Sequence, residues 1–129
     1  MSAADLYAFL LGLIIVAHRL PAVFSPRTFR TIYNRFADRI ISVRITGLVL
    51  MLFSGWGIYE NVRDYSRFGW LIIGLSIFIF IKACGHLFFP GRTTGADRRA
   101  NDMNDTALSL ISLAMVIAGV LIVLLTVQF

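Results

Sequence analysis

Four long apolar stretches constrain this chain more than any other feature. They run over residues 6–24, 41–59, 70–89 and 106–127, and a helix needs roughly 20 apolar residues to cross a bilayer core. Lipid offers no partner to an unpaired backbone group, and the stretches lack the alternating pattern of barrel strands. The sequence therefore predicts an all-α polytopic membrane protein, with four transmembrane helices in a single transmembrane domain over residues 1–129.

The first stretch is the least regular of the four. His18, Arg19 and Pro21 interrupt its second half, and the proline should loosen the last helical turn. Asp5 stands where a signal peptide would carry basic residues, and no small-residue cleavage site follows. We therefore expect the first stretch to be a retained span.

The charged residues, only 15% of the chain, give a net charge of +5 and are grouped beside the apolar stretches. Ten of the twelve Lys and Arg residues fall within 19–44 or 82–99. Basic residues in short connections mark the cytoplasmic side of a membrane, so this pattern favours topology signals over nucleic-acid binding. It predicts cytoplasmic first and third connections and both termini outside. The small size and short loops suggest a bacterial inner membrane.

The first connection has the pattern of an amphipathic helix on the inner leaflet. Ser25 and Pro26 form a typical helix start. Apolar residues then recur at helical spacing, with arginines on the other side: Phe29, Ile32, Tyr33 and Phe36 against Arg27, Arg30 and Arg35. Packing of this helix onto the cytoplasmic face of a partner subunit is the alternative. The third connection, over 92–105, lacks such a stripe and is expected to be either a solvated helix or a loop.

The two halves of the chain resemble each other, since residues 6–59 align with residues 70–123 without a gap. The matches include Pro26/Pro90, Arg35/Arg99 and Asp38/Asp102, which apolar composition alone does not explain. The sequence thus predicts two tandem related hairpins, each made of a span, a basic connection and a second span.

Five basic residues near the cytoplasmic span ends are candidates for a cationic pocket: Lys82, His86, His18, Arg19 and Arg44. Lys82 and His86 are four residues apart, which places them on one helix face. Ionisable residues at membrane depth are often functional, and this set would suit an anionic lipid headgroup or ligand. Snorkelling of the long side chains to the interface is the alternative.

The sequence shows little sign of a reactive centre. Neither histidine has an acidic residue nearby to orient it, and no carboxylate lies deep in a span. Haem ligation by His18 and His86 is a remote alternative, and otherwise no cofactor or metal is expected. Cys84, the only cysteine, is expected to be a small buried apolar residue.

These observations favour a non-enzymatic accessory or assembly subunit of a larger membrane complex. Its expected partners are membrane lipids, with anionic headgroups for the cationic pocket, and either other membrane subunits or further copies of itself. The alternative is a small homo-oligomeric transporter or channel that uses the cationic site, and a b-type haem protein is the remote one.

Overall fold

The computed structural model describes residues 2–63 and 69–128, and the regular structure within those ranges is helical. Asp64 and Arg67, two charges of the second connection, lie outside the described residues. The helices, in chain order, are α1 (Ala3–Phe24), α2 (Pro26–Ala37), α3 (Ile40–Arg63), α4 (Gly69–Phe88), α5 (Pro90–Asn101) and α6 (Asp105–Gln128).

Four helices in the described ranges are long and apolar enough to cross a membrane: α1, α3, α4 and α6. Their bounds agree closely with the four predicted spans, so that prediction is confirmed at the level of helix length and composition. α1 continues through His18, Arg19 and Pro21 to Phe24 without a break. The third connection, predicted as either a helix or a loop, contains the helix α5.

Polar side chains accept hydrogen bonds from backbone N–H groups at three helix starts. Ser2 and Asp5 form a reciprocal capping box at the start of α1. Ser25 Oγ accepts a hydrogen bond from the Thr28 N–H at 3.4 Å, and Pro26 is the first residue of α2, as the sequence predicted. Asn104 Oδ1 accepts from the Ala107 N–H at 2.7 Å, beside the start of α6. These bonds satisfy donors that have no partner within their own helix.

The chain divides into two compact units, residues 1–35 with 98–129 and residues 36–97. In the first, α1 packs along α6, and in the second α3 packs along α4. Each compact unit therefore combines one span from each half of the sequence, and the relation of the two sequential hairpins as a repeat stays a prediction. Helix pairing depends on complementary surfaces, which chain order does not encode.

In the first unit, two glycines allow the backbones of α1 and α6 to approach closely. A Cβ atom on Gly12 would lie 2.8 Å from the carbonyl oxygen of Gly119, and one on Gly119 would lie 2.9 Å from that of Gly12. Small residues at such crossings are typical of membrane helix pairs. Nearer the α2 end, Ser109 Oγ donates to the Val23 carbonyl oxygen at 2.8 Å.

In the second unit, Gly47 of α3 lies against the last turns of α4. A Cβ atom there would be 2.8 Å from the Ala83 carbonyl oxygen and 2.9 Å from His86 Cβ. Further along the pair, Ser54 and Ser76 are fully buried. Each hydroxyl donates to a carbonyl four residues back in its own helix, at 2.7 Å. The two helices of this unit therefore lie close together at Gly47, and each of the two hydroxyl groups is hydrogen-bonded within its own helix.

Candidate functional site

Lys82 and His86, the two candidates at the end of α4, meet a carboxylate from α5. Lys82 Nζ lies 3.1 Å from Asp97 Oδ1, and His86 Nε2 lies 3.6 Å from Asp97 Oδ2. The side chain of His86 is 6% exposed and that of Asp97 17%, whereas Lys82 is 42% exposed. The three residues, called here the Lys–His–Asp cluster, combine one cation, one anion and one titratable ring at the end of a span.

The geometry fixes which nitrogen of His86 carries a proton. Its Nδ1 lies 2.9 Å from the Lys82 carbonyl oxygen, and a carbonyl only accepts, so Nδ1 is the donor. A neutral ring therefore directs the Nε2 lone pair towards Asp97, and a protonated ring directs an N–H. At 3.6 Å the Nε2–Asp97 contact is longer than an ordinary hydrogen bond, so the pair interacts through charge only when the ring is protonated.

The expectation that neither histidine has an acid nearby was wrong for His86. Asp97 is eleven residues further along the chain and reaches the ring because the chain turns at Phe89 and α5 lies back against α4. A Cβ atom on Gly85 would lie 2.6 Å from Thr93 Oγ1, so the glycine permits this close approach. The turn signal Pro90-Gly91 was visible in the sequence, but the direction in which α5 leaves α4 was not.

Gly47 explains why His86 is buried. Because Gly47 has no side chain, α3 can lie directly on the turn of α4 that carries the His86 ring. A Cβ atom built on Gly47 would lie 2.9 Å from His86 Cβ. Next to this contact, Cys84 Sγ lies 3.7 Å from Met51 Sδ, and the cysteine is half-buried rather than fully buried. The Lys–His–Asp cluster is thus held by backbone packing on one side and opens to solvent at Lys82.

His18 and Arg19, the other candidates near a span end, lie against Phe29 in the first unit. The His18 and Phe29 rings meet edge to face with centroids 5.8 Å apart. The Arg19 guanidinium lies 5.3 Å from the centroid of the same ring, a cation–π distance. Arg44 is exposed on α3, in the second unit. The predicted set of five is thus divided between the units, and its use as one pocket stays a prediction.

Haem ligation by His18 and His86 also stays a prediction, since it draws one ligand from each unit. Within residues 2–63 and 69–128, no three His, Cys, Asp or Glu side chains are grouped as a metal site requires. The Lys–His–Asp cluster offers one imidazole and one carboxylate, and Lys82 occupies the remaining side of that carboxylate.

The side chains that define the predicted amphipathic pattern of α2 differ in how deeply they are buried. Phe29 is buried with Ala22 and Leu108, while Ile32 is 56% exposed. Tyr33 and Phe36 are intermediate, and Arg27 and Arg35 are exposed. Phe29, at one edge of the predicted apolar stripe, therefore packs in the interior of the first unit, whereas Ile32 is exposed to the surroundings of the protein.

Arg30, predicted on the polar side of α2, holds the connection between α5 and α6. Its Nε donates to the Asn101 carbonyl oxygen at 2.9 Å, and its two terminal nitrogens donate to Asp105 and to the Met103 carbonyl oxygen. No local pattern pointed to this contact, because the partners lie in the other half of the chain. Arg30 is therefore a structural contact as well as a charge on α2.

Comparison with protein-family models, curated proteins and solved structures finds no significant match to this chain.

Proposed function

We propose that this protein is a non-enzymatic accessory or assembly subunit of a larger membrane complex. The observation that carries the proposal is the small share of each span that the chain itself covers. Between 17% and 28% of the most apolar window of each spanning helix is buried. The other residues of these windows are half-buried or exposed, and the apolar surface that they expose is available to lipid and to other membrane helices.

Gly74 indicates where a partner helix could dock. Gly12, Gly47, Gly85 and Gly119 are each in close contact within the chain, whereas no atom of the described residues lies within 4 Å of a Cβ built on Gly74. Gly74 is exposed and is the sixth residue of α4, and glycine is costly in an exposed helix interior unless it permits a close approach. An intermolecular helix contact would give this glycine such a role.

The bonding of polar groups in the spans also supports a packing role over a substrate path. Ser54, Ser76 and Thr126 donate to carbonyls four residues back in their own helices, and the buried Asn61 amide does the same in α3. Groups satisfied in this way are poorly placed to line a polar route. Among the described residues, the buried hydroxyl of Ser112 lacks a hydrogen-bond partner, and one isolated hydroxyl does not make such a route.

The test is native mass spectrometry of the tagged chain, extracted with a mild detergent from its own membranes. We expect a hetero-complex of defined stoichiometry. Gly74→Leu should dissociate this complex, because the larger side chain blocks the close approach of a partner helix. Ile81→Phe adds bulk at another exposed position of α4 and should leave the complex intact. Detection of the chain without any partner would contradict the accessory-subunit role. A complex that persists in Gly74→Leu would contradict docking at Gly74.

We further propose that α2 lies on the inner leaflet, that both termini are outside, and that the membrane is a bacterial inner membrane. The basic connections support this topology. In a Cys84→Ser background, an impermeant maleimide added to intact cells should label Ala3→Cys and spare Ala100→Cys, both exposed positions. The opposite labelling pattern would reverse the topology.

The duplication is part of the proposal as well. The helices α2 and α5 are equally long and begin at Pro26 and Pro90, while α1 and α4 end at Phe24 and Phe88. The alignment of the two halves of the sequence pairs both the prolines and the phenylalanines. This recurrence of helix bounds supports a tandem repeat. The pairing of α1 with α6 and of α3 with α4 then means that each compact unit takes one span from each repeat.

A small homo-oligomeric transporter is the second candidate, and the Lys–His–Asp cluster is the observation that favours it. Asp97, on α5 just past the end of a span, adds a carboxylate to the two basic groups of α4, and proton relays combine carboxylate and imidazole groups. In liposomes containing a pH-sensitive dye, Lys82→Ala and Asp97→Asn should each abolish proton flux carried by the purified protein. Unchanged flux in both variants would remove the cluster from any transport mechanism.

A further inference from the structure

A cleft in the first unit gathers side chains from α2, from the end of α5 and from the residue that follows it. Its volume is about 270 Å³, it is partly open to the surroundings, and each residue that lines it is an arginine, an asparagine or an aspartate. The residues that line this basic cleft are Arg30, Asn34, Arg98, Arg99, Asn101 and Asp102.

Arg98 and Arg99 give the basic cleft its excess positive charge, since Arg30 is paired with Asp105 and Asp102 is the carboxylate in the lining. Arg30 uses three of its five N–H donors to hold the α5–α6 connection, which fixes the guanidinium and leaves two donors. Arg98 and Arg99 also take part in other interactions within the chain, but each carries five donors as well. Planar N–H forks of this kind match phosphate oxygens in geometry and charge.

The basic cleft lies at the level of the span ends. Asn101 and Asp102 precede α6, the last span, by a few residues, and α2 follows the end of α1 after the single residue Ser25. Headgroup phosphates occupy this depth in a bilayer, and basic pockets at the cytoplasmic ends of membrane helices bind anionic headgroups. The site thus combines the charge and the location that a membrane-surface phosphate requires.

We propose that the basic cleft binds a phosphate group, carried by an anionic phospholipid headgroup or by a soluble phosphate. Arg98 and Arg99 supply the main charge, and Asn34 supplies a neutral amide. Arg30, which is held by its own hydrogen bonds, forms a fixed part of the cleft lining. Asp102 disfavours a second anionic group beside the first, so a single phosphate fits better than a polyanion. This site shares no residue with the Lys–His–Asp cluster and does not depend on the accessory-subunit role.

The test measures phosphate binding to the purified full-length chain in detergent. Native mass spectrometry would record the bound fraction of dioleoyl phosphatidic acid and, separately, of dioleoyl phosphatidylcholine. A second arm would titrate inorganic phosphate into the same protein by calorimetry, with sodium chloride of equal ionic strength as the blank. The variants are Arg98→Gln with Arg99→Gln, and the matched control Arg27→Gln with Arg92→Gln, which removes two exposed charges outside the cleft.

We expect phosphatidic acid to bind well above phosphatidylcholine and the Arg98/Arg99 double variant to weaken that binding at least about tenfold, as loss of charged hydrogen bonds implies. The control double variant should bind as the unmodified protein does. Binding of inorganic phosphate, lost in the same variant, would assign the cleft to a soluble phosphate.

Two results would overturn the proposal. One is equal loss of binding in the control variant, which would mean that net charge and not the cleft attracts the lipid. The other is absence of phosphate-specific binding in both arms. Circular dichroism and replacement of the two arginines by lysine guard against misfolding, because lysine keeps the charge and should restore part of the binding.

Discussion

Replacing Gly12 with alanine would force a methyl group into the closest approach between α1 and α6. The new Cβ would lie 2.8 Å from the Gly119 carbonyl oxygen and 2.7 Å from Val123 Cγ2. The valine methyl can rotate away, but the carbonyl is fixed in the backbone of α6. Ordinary contact begins at 3.4 Å, so the helices must separate by about 0.6 Å, and overpacking of this kind costs about 1–3 kcal/mol.

Alanine also has a favourable effect in a helix, worth up to about 1 kcal/mol relative to glycine. The net expectation for Gly12→Ala is therefore a loss of about 1–2 kcal/mol in the free energy of unfolding. Gly74→Ala is the matched control, because it makes the same change in another span, at a position where none of the described residues comes within 4 Å of the new Cβ. That variant should be neutral or slightly stabilised.

The assay is unfolding of the purified protein from mild detergent into increasing mole fractions of dodecyl sulfate, followed by circular dichroism. Gly119→Ala should behave like Gly12→Ala, since its Cβ would lie 2.9 Å from the Gly12 carbonyl oxygen. The double variant should lose less than the sum of the two, because the first alanine has already separated the helices. Equal stability of Gly12→Ala and Gly74→Ala would refute the close approach.

The same assay tests two side-chain contacts. Arg30→Gln should destabilise the protein by about 1–3 kcal/mol, since it removes charged hydrogen bonds to two backbone carbonyls and to Asp105; Arg27→Gln, an exposed charge on the same helix, should change stability by under about 0.5 kcal/mol. Asp97→Asn should cost under about 1 kcal/mol, because Lys82 in that ion pair is 42% exposed and the pair is screened by its surroundings. A larger loss for Asp97→Asn than for Arg30→Gln would invert this ranking and contradict it.

The spans were predictable because hydropathy is a local property. A run of apolar residues of the right length specifies a membrane helix whatever it packs against. The start of α2 was predictable for a similar reason, since Ser25 and Pro26 act on backbone groups within one turn. These features needed no knowledge of the rest of the chain.

The pairing of helices was not predictable, because all four spans are apolar and no sequence pattern within a span specifies which other span it packs against. Gly12 and Gly119 mark surfaces that permit close approach, but they do not say that α1 approaches α6 rather than α3. The Lys–His–Asp cluster was half predictable. Its two residues on α4 follow from helical spacing, whereas Asp97 joins them only through the turn at Phe89.

The two connector helices, α2 and α5, are where the proposed repeats differ most in chemistry. They share length and bounds, yet in the alignment of the two halves Arg30 corresponds to Thr94 and Tyr33 to Asp97. Arg30 makes the basic cleft possible in one unit, and Asp97 completes the Lys–His–Asp cluster in the other. Substitutions at exposed positions of α2 and α5 can therefore change recognition at little cost to the spans, whereas Arg30 and Phe29 also stabilise the first unit. The proposed phosphate site should respond to changes in these connectors and not to Gly74→Leu, whereas assembly should show the reverse dependence.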